Sequence, residues 1–244
     1  MKALMRWILL LALSLLALQL YFVLRIALMA VVDPQSTTFE RTQIWRISTQ
    51  QHRLPWRQEW RDATQLSNSL KRAVIASEDS AFVQHQGIWW DSLEQAWEKN
   101  AKAQARAEQQ AQRRPNAAAK PVKIVGGSTI TQQLAKNLFL SGERTLVRKA
   151  QEMMITLTLE ALLSKRRILE IYLNHVEWGE GVFGAEAAAQ HYFRKPAQQL
   201  DNWEAARLAV MLPRPRFFEK QAQSAYLNER AFTITSRMGD VRIP

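Results

Sequence analysis

The chain has no cysteine and few residues that break regular structure, with eight glycines and eight prolines among 244 residues. Without cysteine there can be no disulfides, so packing must hold the fold together. Few stretches show the apolar-polar alternation of strands, whereas several show helical spacing. The sequence therefore predicts a mainly α-helical protein.

Acidic residues are scarce relative to basic ones, 22 against 33, which gives a net charge of +11. Such an excess favours an anionic bilayer surface, a diphosphate-bearing substrate or nucleic acid as partner. No zinc-finger spacing or RNA-binding motif is present, and the membrane segment described next argues against nucleic acid. We therefore expect no nucleic-acid partner.

Charged side chains are absent from residues 7–24, and the apolar character resumes after Arg25. This run is long enough to cross a hydrocarbon core of ~30 Å. Lys2 and Arg6 precede it, so the positive-inside rule places the N-terminus in the cytoplasm and the following chain outside. A cleaved signal peptide is the alternative, but the run exceeds a typical signal core. We predict that residues 1–32 form a cytoplasmic tip and transmembrane anchor.

The rest of the chain divides by composition. Residues 33–55 predict an extended juxtamembrane connector, and residues 56–244 one domain, large enough for two lobes. Within it, residues 94–121 are rich in Ala, Gln, Lys and Arg, which predicts a helix extension followed by a mobile loop. Residues 174–184 predict a glycine turn with a short hairpin, and residues 201–204 a capping box before the last strong helix.

A glycine-led helix start at residues 126–137 is the most informative local feature. Ser128 is well placed to cap this helix, whose free N–H groups favour a phosphate or carboxylate. Polar groups then recur along one face. They are Thr129, Gln132 or Gln133, and Lys136. An ordinary capped amphipathic helix would show the same pattern, so the neighbouring motifs must decide.

Glu78 follows a helical run that starts near Leu70, which places its carboxylate at a helix C-terminus. The negative end of the helix dipole and partial burial would both raise its pKa, as a general base requires. A solvated turn is the alternative. Further along, Arg144, Arg148 and Glu152 share a helix face at i, i+4 spacing, which fits a surface ion-pair ladder or a diphosphate site.

These segments, taken in order, resemble the motifs of peptidoglycan glycosyltransferases, family 51. The motifs are Glu-Asp-x-x-Phe-x-x-His-x-Gly at 78–87, Gly-Gly-Ser-Thr-Ile-Thr-Gln-Gln-x-x-Lys-Asn at 126–137, Arg-Lys-x-x-Glu at 148–152, Lys-x-x-Ile-Leu-x-x-Tyr-Leu-Asn at 165–174, and the segment 204–215. The resemblance covers roughly residues 60–220. It implies a lysozyme-like, two-lobed domain that polymerises lipid-linked disaccharide-pentapeptide (lipid II) into β-1,4 glycan with inversion.

The resemblance also implies roles for individual residues. Glu78 would take the acceptor's proton, and Glu152 would orient the substrate or assist at the diphosphate. Lys136, Arg144 and Arg148 would offset the charge of the leaving group. Substrate-binding residues would include Asp79, Phe82, Ser128, Gln133 and Asn137. His85 is expected to be structural.

The same resemblance implies no required cofactor, with a divalent cation, Mg²⁺ or Mn²⁺, left open. The expected partners are lipid II, the growing glycan strand and the membrane, with cell-wall synthesis or division proteins as further candidates. We expect a single-pass protein of the inner membrane with a periplasmic catalytic domain. The chain ends at Pro244 without a Ser-x-x-Lys motif, so we expect no transpeptidase activity.

Two rival interpretations remain. A lysozyme-like hydrolase or lytic transglycosylase would also place a glutamate in a helical cleft, but it would not need cations for a departing diphosphate. A membrane-tethered scaffold would need only the anchor, the basic surface and a core.

Overall fold

The computed structural model describes residues 2–51, 56–113, 126–143 and 145–244. The first helix, α1 (Lys2–Leu28), is long and apolar enough to cross a membrane. Among the described residues, the C-terminal part of α1 meets the rest of the protein: Phe22 and Ile26 are buried, whereas most earlier side chains are exposed. Gln19 also donates a hydrogen bond from its side chain to Gln151 at 3.0 Å. The anchor is thus packed against the domain at one end.

A helix, α2 (Thr38–Gln51), occupies most of the segment predicted to be extended, so that prediction is wrong. Its start is fixed by a reciprocal cap between Thr37 and Glu40. The Thr37 hydroxyl accepts from the Glu40 N–H at 3.1 Å, and the Glu40 carboxylate accepts from the Thr37 N–H at 2.6 Å. Such a cap satisfies N–H groups that a helix start otherwise leaves free.

One packed group consists of α3 (Asn68–Glu78), α9 (Asn202–Met211) and α11 (Ala225–Arg237). The predicted capping box of Asp201 and Glu204 opens α9 and is confirmed. However, α9 is not the last strong helix, because α10 (Pro215–Glu219) and then α11 follow it. Pro215 is the first residue of α10. Proline is favourable there because the N–H group of the first helical residue has no partner within the helix, so its absence costs nothing.

A second packed group brings together α5 (Ile130–Phe139), α6 (Leu146–Leu162) and α7 (Lys165–His175). Between α3 and α5 in sequence runs α4 (Trp90–Arg113), which confirms the helical part of the biased tract. The predicted mobile loop falls on residues 114–121, outside the described part of the chain. After α7, α8 (Ala185–Phe193) completes the helices that frame the core.

A small sheet closes the domain, with strands β1 (Arg57–Gln58), β2 (Glu177–Gly179) and β3 (Val182–Phe183) in the order β1-β3-β2. β2 and β3 pair antiparallel, which confirms the predicted hairpin, and β1 runs parallel to β3. Gly184 follows with φ of +80°, and a Cβ there would lie 2.6 Å from the Asn174 carbonyl oxygen. This position therefore requires glycine.

Candidate functional site

Glu78 is the last residue of α3, and its half-buried carboxylate is held from two sides. Gln133 Nε2 donates to Glu78 Oε2 at 2.9 Å, and the Ser77 hydroxyl donates to Oε1 at 3.3 Å. Burial raises the pKa of Glu78, and these two hydrogen bonds oppose the rise; the nearby Asp79 raises it and Lys136 lowers it. The expected upward shift is therefore found, but burial is its leading cause. A carboxylate of raised pKa suits general base catalysis.

The start of α5 is built differently from the prediction. Thr129, not Ser128, is the N-cap: its side chain accepts from the Gln132 N–H at 3.2 Å, and Gln132 Oε1 accepts from the Thr129 N–H at 3.1 Å. Thr129 and Gln132 are both buried, and of the two only Gln132 is among the residues that line the cavity described below. Ser128 is exposed and lines the cavity described below.

Asp79 and Phe82 lie inside the protein, with 3% and 0% of their surface exposed. Asp79 Oδ2 accepts from the Ile130 N–H at 3.0 Å, and Asp79 Oδ1 lies 2.8 Å from His85 Nε2. Lys165 sits over the Phe82 ring, 4.5 Å from its centre. Burial does not fit the predicted substrate contacts of Asp79 and Phe82. Asp79 instead ties the end of α3 to the start of α5, and the contact with His85 fits a structural histidine.

A cavity of about 360 Å³ opens between α2, α5 and α6. It brings together most of the predicted site residues: Ser128, Gln133, Lys136, Asn137, Arg148 and Glu152. A larger cavity of about 560 Å³ lies near the start of α3 and contains none of them. We therefore take the smaller cavity as the candidate site. Gln133 lines it and donates a hydrogen bond to Glu78, which connects the cavity to the predicted base.

Glu152 is 4% exposed and is held by two cations of its own helix. Arg148 Nη1 donates to Glu152 Oε2 at 2.9 Å, and Lys149 Nζ donates to Oε1. Arg148 also has a buried Nε without a hydrogen-bond partner among the described residues. The predicted i, i+4 pair is confirmed, and Lys149 is an addition that the i, i+3 spacing could have indicated.

Lys136, on α5, lines the cavity; the residue as a whole is exposed, but the protein around its ammonium displaces part of the water there. Loss of water around its ammonium lowers the pKa of Lys136; Arg148 and Lys149 lower it further, whereas Glu152 and Glu78 raise it. Lys136 thus interacts electrostatically with both predicted catalytic carboxylates. Its charge is available to an anion that enters the cavity.

Arg144 lies outside the described residues, so its predicted contribution stays a prediction. The helix that follows, α6, begins at Leu146 with Thr145 as N-cap. Two further residues at the site were not predicted from the sequence. Phe39 of α2 lines the cavity, and the Tyr172 hydroxyl of α7 donates to Gln133 Oε1 at 3.0 Å.

Residues 46–239 match the protein family described as Transglycosylase. The chain belongs to this family. A transglycosylase relative named biosynthetic peptidoglycan transglycosylase, from Burkholderia thailandensis, is 51% identical over 229 residues, covering 94% of this chain and 83% of the relative. Another of the same name, from Herminiimonas arsenicoxydans, is 48% identical over 245 residues, covering 100% of this chain and 99% of the relative.

Family membership confirms the resemblance derived from the motifs. It also confirms the predicted fold, a mainly α-helical, lysozyme-like transglycosylase domain preceded by one apolar helix suited to a membrane. The chain is a peptidoglycan transglycosylase, a glycosyltransferase. The matched region begins within α2, so that this helix belongs in part to the family domain.

Proposed function

We propose that this transglycosylase polymerises lipid II into β-1,4 glycan strands and releases undecaprenyl diphosphate. The observation that carries the proposal is the pairing of one half-buried carboxylate, Glu78, with a cation-lined cavity on the other side of Gln133. A base and a site for a diphosphate are the two groups that such a transfer needs.

In the proposed reaction, Glu78 takes the proton from the 4-hydroxyl of the incoming disaccharide. That oxygen attacks the anomeric carbon of the growing chain, and the bond from this carbon to the diphosphate oxygen breaks with inversion. Lys136 and Arg148 stabilise the charge that develops on the departing diphosphate. Glu152 keeps Arg148 and Lys149 in place at that side of the cavity.

Strand cleavage is the rival chemistry, and the cations distinguish it from synthesis. A hydrolase or lytic enzyme needs an acid for a sugar leaving group, whereas this cavity offers Lys136, Arg148 and Lys149 to an anion. The purified full chain should be given lipid II and preformed glycan strands in separate reactions. We expect long glycan and released undecaprenyl diphosphate from lipid II. Shortened strands without consumption of lipid II would overturn the proposal.

We further propose that the catalytic domain faces the periplasm from the inner membrane, with the N-terminus in the cytoplasm. The support is the apolar helix α1 with Lys2 and Arg6 at its start. Partners among cell-wall synthesis or division proteins stay predictions.

The divalent cation also stays a prediction. Among the described residues, no group of three or more His, Asp and Glu side chains is placed to hold a metal ion. Assays with a chelator and with added Mg²⁺ or Mn²⁺ would measure the requirement directly.

A further inference from the structure

A buried hydrogen-bond chain reaches Glu78 from α7. Tyr172, 1% exposed, donates from its hydroxyl to Gln133 Oε1 at 3.0 Å. The other end of the same amide, Gln133 Nε2, donates to Glu78 Oε2 at 2.9 Å. Three helices, α7, α5 and α3, are thereby linked through one side-chain amide.

The orientation of the Gln133 amide determines whether Glu78 can stay ionised and act as a base. An ionised carboxylate only accepts hydrogen bonds, so it requires the amide NH₂ and not the amide oxygen. Reversing the amide would bring its oxygen against Glu78, an arrangement that only the protonated acid can satisfy. It would also take from the buried Tyr172 hydroxyl the acceptor that it has in the structure, and buried donors left unpaired are costly.

We propose that Tyr172 is a positioning residue: its hydroxyl holds the Gln133 amide in the one orientation that keeps Glu78 ionised and ready to accept a proton. This inference rests on the proposed role of Glu78 as the base. Tyr172 acts through Gln133 and does not touch the reacting atoms.

The charged and polar groups around Glu78 other than Tyr172 do not set the orientation of the Gln133 amide. Asp79 and Ser77 face it from its own segment, Lys136 from α5 and Tyr172 from α7. After burial, which raises the pKa of Glu78, the hydrogen bond from Gln133 is the strongest influence and lowers it. Burial, with Glu78 and Asp79 nearby, raises the pKa of Tyr172 well above its usual value, so the phenol stays a neutral donor.

The test is the pH dependence of kcat and KM for Tyr172→Phe with lipid II as substrate. Loss of the hydroxyl frees the amide to turn, so we expect the acid limb of the profile to move up by about 0.5 to 1 pH unit. That shift gives a roughly three- to tenfold loss on the acid side, with a plateau close to wild type. KM should change little, because the cations proposed to bind the diphosphate, Lys136 and Arg148, are untouched.

Tyr192→Phe is the matched control, since it removes an equivalent hydroxyl that donates to the Trp178 carbonyl oxygen at 2.8 Å. We expect its acid limb to coincide with that of the wild type. If Tyr172→Phe lowers the rate equally at every pH, or gives the same profile as the control, the positioning role is wrong while the base role of Glu78 stands. If Glu78→Gln keeps the wild-type acid limb, the proposed base itself fails, which is a separate result.

A second variant covers the case in which Tyr172→Phe does not fold. 3-Fluorotyrosine at position 172 keeps the ring and the hydroxyl, and makes that hydroxyl a stronger donor. We expect its acid limb at or below the wild-type position. An upward shift in this variant would overturn the inference.

Discussion

Glu78 must be ionised to accept a proton, yet its surroundings favour the neutral acid. Burial is the first cause of its raised pKa, and Gln133 opposes it. A carboxyl whose pKa is higher in the folded than in the unfolded state adds most stability at low pH. That contribution is lost as the pH rises through the two pKa values. The ionised base therefore destabilises the fold at neutral pH.

Glu78→Gln is expected to separate activity from stability. Polymerisation should fall below about a tenth of the wild-type rate, because an amide cannot accept the proton. The melting temperature at pH 7 should rise by roughly 1–4 °C, because the buried charge is gone. Calorimetry at pH 7 and near pH 4 checks the sign, since the gain should shrink at the lower pH. A melting temperature below wild type at pH 7 would contradict this explanation.

Lys136→Ala should raise the free energy of the transition state in which the diphosphate leaves, because the ammonium that stabilises its charge is removed. A charge-assisted contact contributes about 1.5–3 kcal/mol, so kcat/KM should fall about 10- to 150-fold. Lys102→Ala is a suitable control, because Lys102 is an exposed lysine that pairs with Glu98 away from the cavity. Equal kcat/KM for the two variants would remove Lys136 from the anion site.

The chemistry of α5 was predictable from the sequence to a greater extent than its geometry. Gln133, Lys136 and Asn137 lie at the cavity as predicted. Thr129 does not, because the helix starts one residue later than expected and Thr129 becomes its N-cap; Gln132 lines the cavity but is buried and shares the capping box with Thr129. Helix boundaries carry an uncertainty of one or two residues. Here a shift of one residue makes Thr129 the N-cap of α5 instead of a residue on its polar face.

At the scale of elements, the hairpin and the capping box of α9 were predictable because each depends on neighbouring residues. The missed helix α2 also had a local signal, the spacing of Thr37 and Glu40. The bond from Ile130 to Asp79 joins residues 51 positions apart, and no local pattern indicates it. Such tertiary contacts are why the burial of Asp79 could not be read from the sequence.

Gly184→Ala tests the turn that joins β3 to α8. Its φ is +80° and a Cβ would lie 2.6 Å from the Asn174 carbonyl oxygen. We expect a loss of about 1–3 kcal/mol in the free energy of unfolding, measured by chemical denaturation. Gly239→Ala is the control, because a Cβ there meets nothing within 4 Å. If both variants unfold at the same denaturant concentration, the turn does not require glycine.

At the scale of the whole molecule, the orientation of α1 decides whether the enzyme meets its substrate. Lys2 and Arg6 predict a cytoplasmic N-terminus. A reporter fused after Pro244 should therefore be active only if it functions outside the cytoplasm. Paired fusions to alkaline phosphatase and to a cytoplasmic fluorescent reporter check this. A fluorescent, phosphatase-negative result would reverse the assigned topology.

The hydrogen bond between Gln19 and Gln151 joins α6 to the helix that is long and apolar enough to cross a membrane. Gln19 lies nine residues before the end of α1, which corresponds to about 14 Å along a helix axis. α6 meets α1 there and carries exposed apolar side chains, among them Leu146 and Val147. Exposed apolar groups on a helix beside a membrane anchor favour contact with the lipid. Under the proposed function, lipid II would then arrive by lateral diffusion within the leaflet. We expect the rate to follow the mole fraction of lipid II among the surrounding lipids and to fall when inert lipid is added at a constant bulk concentration of substrate.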